Sequence, residues 1–184
     1  MIFIQRNVGP IELNGDITFE EYMKNGFMGE FPTLEDYELQ ANLYFPEVRM
    51  RNFIEIRNHD CVGGDLKYAI LAIYKGIMYD NIAMDECEEL FKHLQYKDFS
   101  ELRYNVPKQG LQAKIKKVKI EDYAKEIIKI AEKSLKNAQT GEDLFLEAIK
   151  EYTMKGISPA DVIQKKWNGI WNKDLRKMIK YIQS

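Results

Sequence analysis

Short apolar runs separated by turn signals open the chain, and apolar positions at helical spacing fill it after residue 60. The runs MIFIQ and IEL, bounded by Gly9-Pro10 and Asn14-Gly15, predict two strands joined as a hairpin. A sheet edge that begins at Met1 needs neighbours, which points to strands from outside this chain. Asp16 or Thr18 is placed to cap a short helix running through Tyr22. Pro32-Thr33 opens a second helix, TLEDYELQANLYF, with Leu34, Tyr37 and Ala41 on one side and Pro46 ending it.

From Val48 to Asp60 the sequence VRMRNFIEIRNHD alternates with a period of two and predicts a single strand. Val48, Met50, Asn52, Ile54 and Ile56 fall on one side and are expected to be core. Arg49, Arg51, Phe53, Glu55 and Arg57 fall on the other. After Gly63-Gly64 the pattern is helical throughout: LKYAILAIYKGIMYD, AMDECEELFKHL, and an amphipathic stretch from Ile120 to Lys136 carrying Tyr123, Ile127, Ile130 and Ala131 on one face. Thr140 with Asp143, and Ser158 before Pro159, mark two further helix starts. The expected fold is α+β: a small antiparallel sheet covered by a C-terminal helical layer. It is read as one domain over 1–184, with 1–60 mainly sheet and 61–184 helical.

Composition narrows the function. The 184 residues are long enough for one core, and 27 basic against 29 acidic residues leave a net charge of −2, so no global field attracts nucleic acid or an anionic membrane. No apolar run approaches the roughly 18 residues of a membrane span, and the first residues lack a basic then apolar leader, so the chain is read as cytoplasmic, with no membrane partner. Cys61 and Cys87 have no ligand spacing and are read as reduced thiols. His59 is read as a loop-facing structural histidine, His93 as a surface or boundary position, and Trp167 and Trp171 as core anchors.

The charged side of the 48–60 strand carries the candidate chemistry. Arginines two residues apart repel unless anions neutralise them, and those anions are either protein carboxylates or a ligand. Phosphoryl transfer needs a carboxylate to hold magnesium and a guanidinium to neutralise charge on phosphate oxygens; Glu55 and Arg57 supply one of each. Glu55 also interrupts the Arg49, Arg51, Arg57 series, which argues against a nucleic-acid patch.

FPEVRMRNFIEIRNHD resembles the plant-type glutamate-cysteine ligase pattern of a helix ending in FPEVR followed by E-x-R-x-x-D on a strand. DLKYAILAIYKGIMYD, RYNVPKQGL and KGISPADVIQKKWNGIW resemble later segments of the same family in the same order, and MIFIQR, ITFEEYM and PTLEDYE resemble earlier ones. The resemblance implies the C-terminal portion of such a ligase, on a sheet related to half of a glutamine-synthetase fold. It implies ATP as co-substrate and Mg2+ as cofactor, with glutamate phosphorylated on its side chain and cysteine's amine displacing the phosphate, the first step of glutathione biosynthesis. Glu55 is then the metal ligand, Glu55 and Arg57 the catalytic pair, and Arg49 and Arg6 substrate contacts. A structural ion pair is an equal reading for Arg49 and Arg6. Gln40, Tyr37 and Asn58-His59 depart from the family pattern and leave the amine substrate open. The family's remaining metal ligands lie upstream, so turnover is expected only with the missing N-terminal half or a partner subunit. The rival reading is a non-catalytic remnant or interaction module, and an unpaired first strand leaves room for a homo-oligomer.

Overall fold

Ile2, Ile4 and Leu13 are buried on a two-stranded antiparallel ribbon of β1 (Ile2–Arg6) and β2 (Gly9–Leu13), in which Ile2 pairs with Leu13 and Ile4 with Ile11. This computed structural model describes residues 2–6, 9–13, 17–43, 46–51 and 53–183. The expectations at Met1, Asn14-Gly15, Asp16 and Asn52 lie outside those residues. The chain divides into two compact units, Met1–His59 and Asp60–Ser184.

In the first unit Tyr22 completes the core with Ile2, Ile4 and Leu13, and Ile17, Phe19 and Phe27 pack around it. Tyr22 is carried on α1 (Phe19–Asn25), whose start is fixed by a capping box: Thr18 Oγ1 accepts from the Glu21 amide, and Glu21 accepts from the Thr18 amide. A second box opens α2 (Leu34–Leu43), where Asp36 accepts from the Thr33 amide at 2.9 Å and the Asp36 amide donates to Thr33 Oγ1. Gln40 Oε1 of α2 accepts from the Phe3 amide, tying this helix to β1.

The expected single strand over 48–60 is corrected to a hairpin. Only β3 (Val48–Met50) and β4 (Ile54–Ile56) are extended and paired, and the chain reverses where the Arg51 amide donates to the Phe53 carbonyl at 2.8 Å. The two-faced alternation survives the reversal, because Val48 pairs with Ile56 and Met50 with Ile54 while Arg49 pairs with Glu55. Burial runs opposite to expectation. Arg49 is 9% exposed, whereas Val48, Met50 and Ile54 are more than half exposed.

The second unit is helical. It comprises α3 (Leu66–Met78), α4 (Asn81–Phe91), α5 (Tyr96–Gln109), a short hairpin of β5 (Lys114–Ile115) and β6 (Val118–Lys119), α6 (Ile120–Ala138), α7 (Glu147–Met154), α8 (Pro159–Asn168) and α9 (Leu175–Gln183). Its core joins Ala72, Ala131, Leu135 and Leu146, with Ile73, Ile77 and Ile149 around them. Small residues let α3 and α6 approach closely: a Cβ on Gly76 would fall 2.7 Å from the Ala131 carbonyl oxygen. Along α6 the buried line runs through Tyr123, Ile128, Ala131 and Leu135, so Ile128 replaces the expected Ile127 at its centre. Ser158 caps α8 directly before Pro159, as its sequence predicts. The fold is α+β, its antiparallel pairing split into three two-stranded sheets beside the helices.

Candidate active site

Glu55 sits on β4 between two guanidinium groups. Arg49, opposite it on β3, approaches Glu55 Oε2 with Nε at 2.8 Å and Nη2 at 2.7 Å. Arg57, two residues on, reaches Glu55 Oε1 with Nη1 at 3.1 Å. The Glu55 carboxyl is thereby held below its ordinary value of 4.5, chiefly by the Arg49 hydrogen bond, with burial the next largest influence and acting the other way. It is ionised at neutral pH and still reaches solvent, with 27% of its side chain exposed.

The hairpin is anchored to the end of α2. Arg49 Nη1 donates to the Asn42 carbonyl at 3.0 Å, a cation at a helix C-terminus where backbone carbonyls lack partners. Arg51 Nη2 donates to Asn42 Oδ1. The Arg57 amide donates to the Glu47 carbonyl and continues the strand pairing past Ile56. Arg49 is therefore fixed between the Glu55 carboxylate and the Asn42 carbonyl, and the more exposed Arg57 reaches the other carboxylate oxygen.

Arg6 is in a different setting. At the end of β1 it holds Glu30 through Nε and Nη2, the latter at 2.6 Å, and Asp36 through Nη1 at 3.1 Å. Asp36 is fully buried, so Arg6 neutralises the carboxylate that also starts α2. Glu30 is the main cause of an upward shift in the Arg6 pKa, and the Tyr22 side chain adds to it. The Tyr22 hydroxyl is buried and makes no properly formed hydrogen bond among the described residues. Glu55, Arg49 and Arg57 thus form one cluster, and Arg6 with Glu30 and Asp36 another. Asn42, Glu30 and Asp36 were not singled out from sequence. The T-x-x-D spacing of Thr33 and Asp36 marks Asp36 as a helix-start residue; nothing local marks Asn42.

Chemically, the cluster presents one ionised carboxylate backed by one buried and one accessible guanidinium. Among the described residues no group of three or more His, Cys, Asp or Glu gathers as a metal cage. Glu55 alone is a partial ligand set, and a hard cation there needs further oxygens from phosphate, water or another chain segment.

The sequence model of glutamate-cysteine ligase family 2 (GCS2) matches residues 5–180. The chain belongs to this family. It is 28% identical over 181 residues to the chloroplastic glutamate-cysteine ligase of Nicotiana tabacum and equally so to that of Solanum lycopersicum; in each case 95% of this chain and 34% of the relative are covered. The chloroplastic enzyme of Arabidopsis thaliana is 27% identical over 180 residues with the same coverage. The chain spans about a third of the length of these curated relatives. Their names overturn the cytoplasmic expectation. That expectation rested on the lack of an apolar leader, whereas plastid-targeting segments are amphipathic and Arg- and Ser-rich and leave no apolar run to find. Among the described residues no helix is long and apolar enough to cross a membrane.

Proposed function

We propose that the chain forms one wall of an ATP- and Mg2+-dependent ligase site that joins the side-chain carboxylate of glutamate to the amine of cysteine. The observation that supports this reading is the Glu55 carboxylate held ionised on the β3–β4 hairpin between Arg49 and Arg57 in a chain of this family. In the first step a glutamate carboxylate oxygen bonds to the terminal phosphorus of ATP and ADP leaves. In the second the cysteine nitrogen bonds to the acyl carbon, phosphate leaves, and the amine proton passes to solvent. Mg2+, if bound there, would supply charge neutralisation of the phosphate oxygens. Glu55 would hold that ion through its solvent-facing edge. Arg57 would release Glu55 and turn to the transferring phosphate, while Arg49 keeps the carboxylate in position. Arg6 belongs to the support of β1 and α2, with substrate contact a secondary role.

The remaining ligands and much of the substrate site are proposed to come from a complementary N-terminal part, in the same protein or a partner subunit. Support for such a partner lies in the exposed aliphatic face of Val48, Met50 and Ile54, since a two-stranded ribbon on its own is marginal in water. A second reading, a non-catalytic interaction module, draws on the same face and on the ion pairing that already occupies both Glu55 oxygens.

Phosphate release with ATP, Mg2+, glutamate and cysteine decides between them, measured on the chain alone and with the complementary part added. Release only in the mixture, lost in Glu55→Gln, supports the ligase. A folded mixture that forms a complex yet releases no phosphate supports the module.

A further inference from the structure

The helical unit contains a cavity of about 440 Å³. Leu66, Ala148, Pro159, Ile163 and Ile182 form apolar walls. One wall exists because residue 63 has no side chain: a Cβ on Gly63 would fall 2.9 Å from the Ile182 carbonyl oxygen, so only glycine lets this loop close against α9. Tyr181 is fixed in the lining by packing on Trp171, with ring centroids 5.3 Å apart, and by Lys166 Nζ at 3.7 Å from its ring centre. The volume lies within the roughly 300 to 1,000 Å³ of small-molecule sites.

One lining residue has a carboxylic acid side chain. Asp65 precedes the first residue of α3 without capping it, and its carboxylate makes no hydrogen bond or ion pair among the described residues. In the groove that adjoins the cavity at Asp65 and Ala148, Glu147 and Glu151 are already ion-paired, with Lys150 and Lys155 respectively, which leaves Asp65 as the carboxylate open to a ligand. Apolar walls with a free carboxylate at the rim select a ligand with an apolar body and a cationic head.

We propose that this cavity is a binding site for a small primary amine carried on an apolar body, its ammonium against Asp65 and its body between Leu66, Ile163 and Ile182. The site does not depend on the ligase reading. Phenethylamine and its uncharged counterpart 2-phenylethanol serve as probes, titrated into the methyl-labelled 184-residue chain and followed by NMR without ATP, so that failure of turnover and failure of binding stay separate. The amine is expected to shift the Leu66, Ile163 and Ile182 methyl signals saturably and to bind at least about tenfold more tightly than the alcohol. Asp65→Asn is expected to bring the amine to the alcohol's affinity and leave the alcohol unchanged. Ile163→Trp is expected to remove both, with the Leu135 and Leu146 signals in place as proof of folding. Equal affinity for both probes, or an amine affinity insensitive to Asp65→Asn, overturns the assignment.

Discussion

Arg49 faces Glu55 directly across the β3–β4 hairpin and meets a single carboxylate oxygen twice, through a hydrogen bond from Nε and an ion-pair contact from Nη2, leaving the other oxygen to Arg57. The carboxylate is held at both ends by groups of different freedom. Arg49 is anchored to α2 and is 9% exposed, whereas the Arg57 side chain is 32% exposed. Glu55→Gln keeps the shape and removes the charge. With the complementary part of the ligase present, it is expected to lower phosphate release by at least about a hundredfold. Circular dichroism should show little change in helix content. A variant that turns over normally would exclude Glu55 from the chemistry.

Arg6→Gln should behave in the reverse way. It removes the cation from the fully buried Asp36 and loosens β1 from α2. The expected outcome is a clear drop in the denaturant midpoint of the first unit, with any activity loss restored at lower temperature. A stable Arg6→Gln chain that is inactive at every temperature would mean that Arg6 contacts substrate.

Acid should weaken the first unit partly through Glu55. Its folded pKa lies below the ordinary 4.5, so the Arg49 pairing stabilises the fold fully above that value, and the contribution is lost as pH falls through the lower folded value. In the second unit Asp80 and Asp98 follow the same sign below 3.8, each held down chiefly by a backbone N–H, from Ala83 and Gln95 respectively. Urea unfolding at a series of pH values should give a flatter acid limb for the first unit in Glu55→Gln, with the second unit unchanged.

Gly76→Ala sets helix propensity against packing. The substitution gains about 1 kcal/mol of propensity in mid-helix. The new Cβ would sit 2.7 Å from the Ala131 carbonyl oxygen and 2.9 Å from its Cα, both backbone atoms that cannot step aside. Overpacking costs about 1–3 kcal/mol, so a net loss is expected, and Gly76→Val should lose more because its branched side chain adds more bulk and gains less propensity than alanine. Thermal unfolding of the helical unit checks both.

Met50→Lys and Ile54→Lys test the aliphatic face of the hairpin. Both positions are exposed, so the isolated chain should change by no more than about 0.5 kcal/mol. Association with the complementary part should be lost, as read by co-purification. Undisturbed association would move the interface elsewhere.

Much of this architecture was legible in the sequence. Helix starts at Thr18, Thr33 and Ser158 follow from capping residues and their partners three positions on, a signal that is local and chemical. The α+β division follows from the change of apolar period near residue 60. The hairpin within 48–60 was not legible, because alternation by two is preserved through a register in which Arg49 meets Glu55, and periodicity cannot see the reversal at Arg51 and Phe53. Nor was the side that is buried. Hydrophobicity assigns the aliphatic face to a core, but within this chain the Asn42 carbonyl and the Glu55 carboxylate draw Arg49 inward instead. The Glu55–Arg57 pair was visible as E-x-R, while its anchor to α2 depended on tertiary structure.

Asp36 accepts from the Thr33 amide and from Arg6 together. This gives the ion pair a fixed polarity. Exchanging the two side chains between positions 6 and 36 would preserve the attraction between charges and still fail, because a guanidinium has no lone pair for the Thr33 amide. In a library randomised at both positions, the survivors should keep the original order or give up both charges, and the reversed order should be missing.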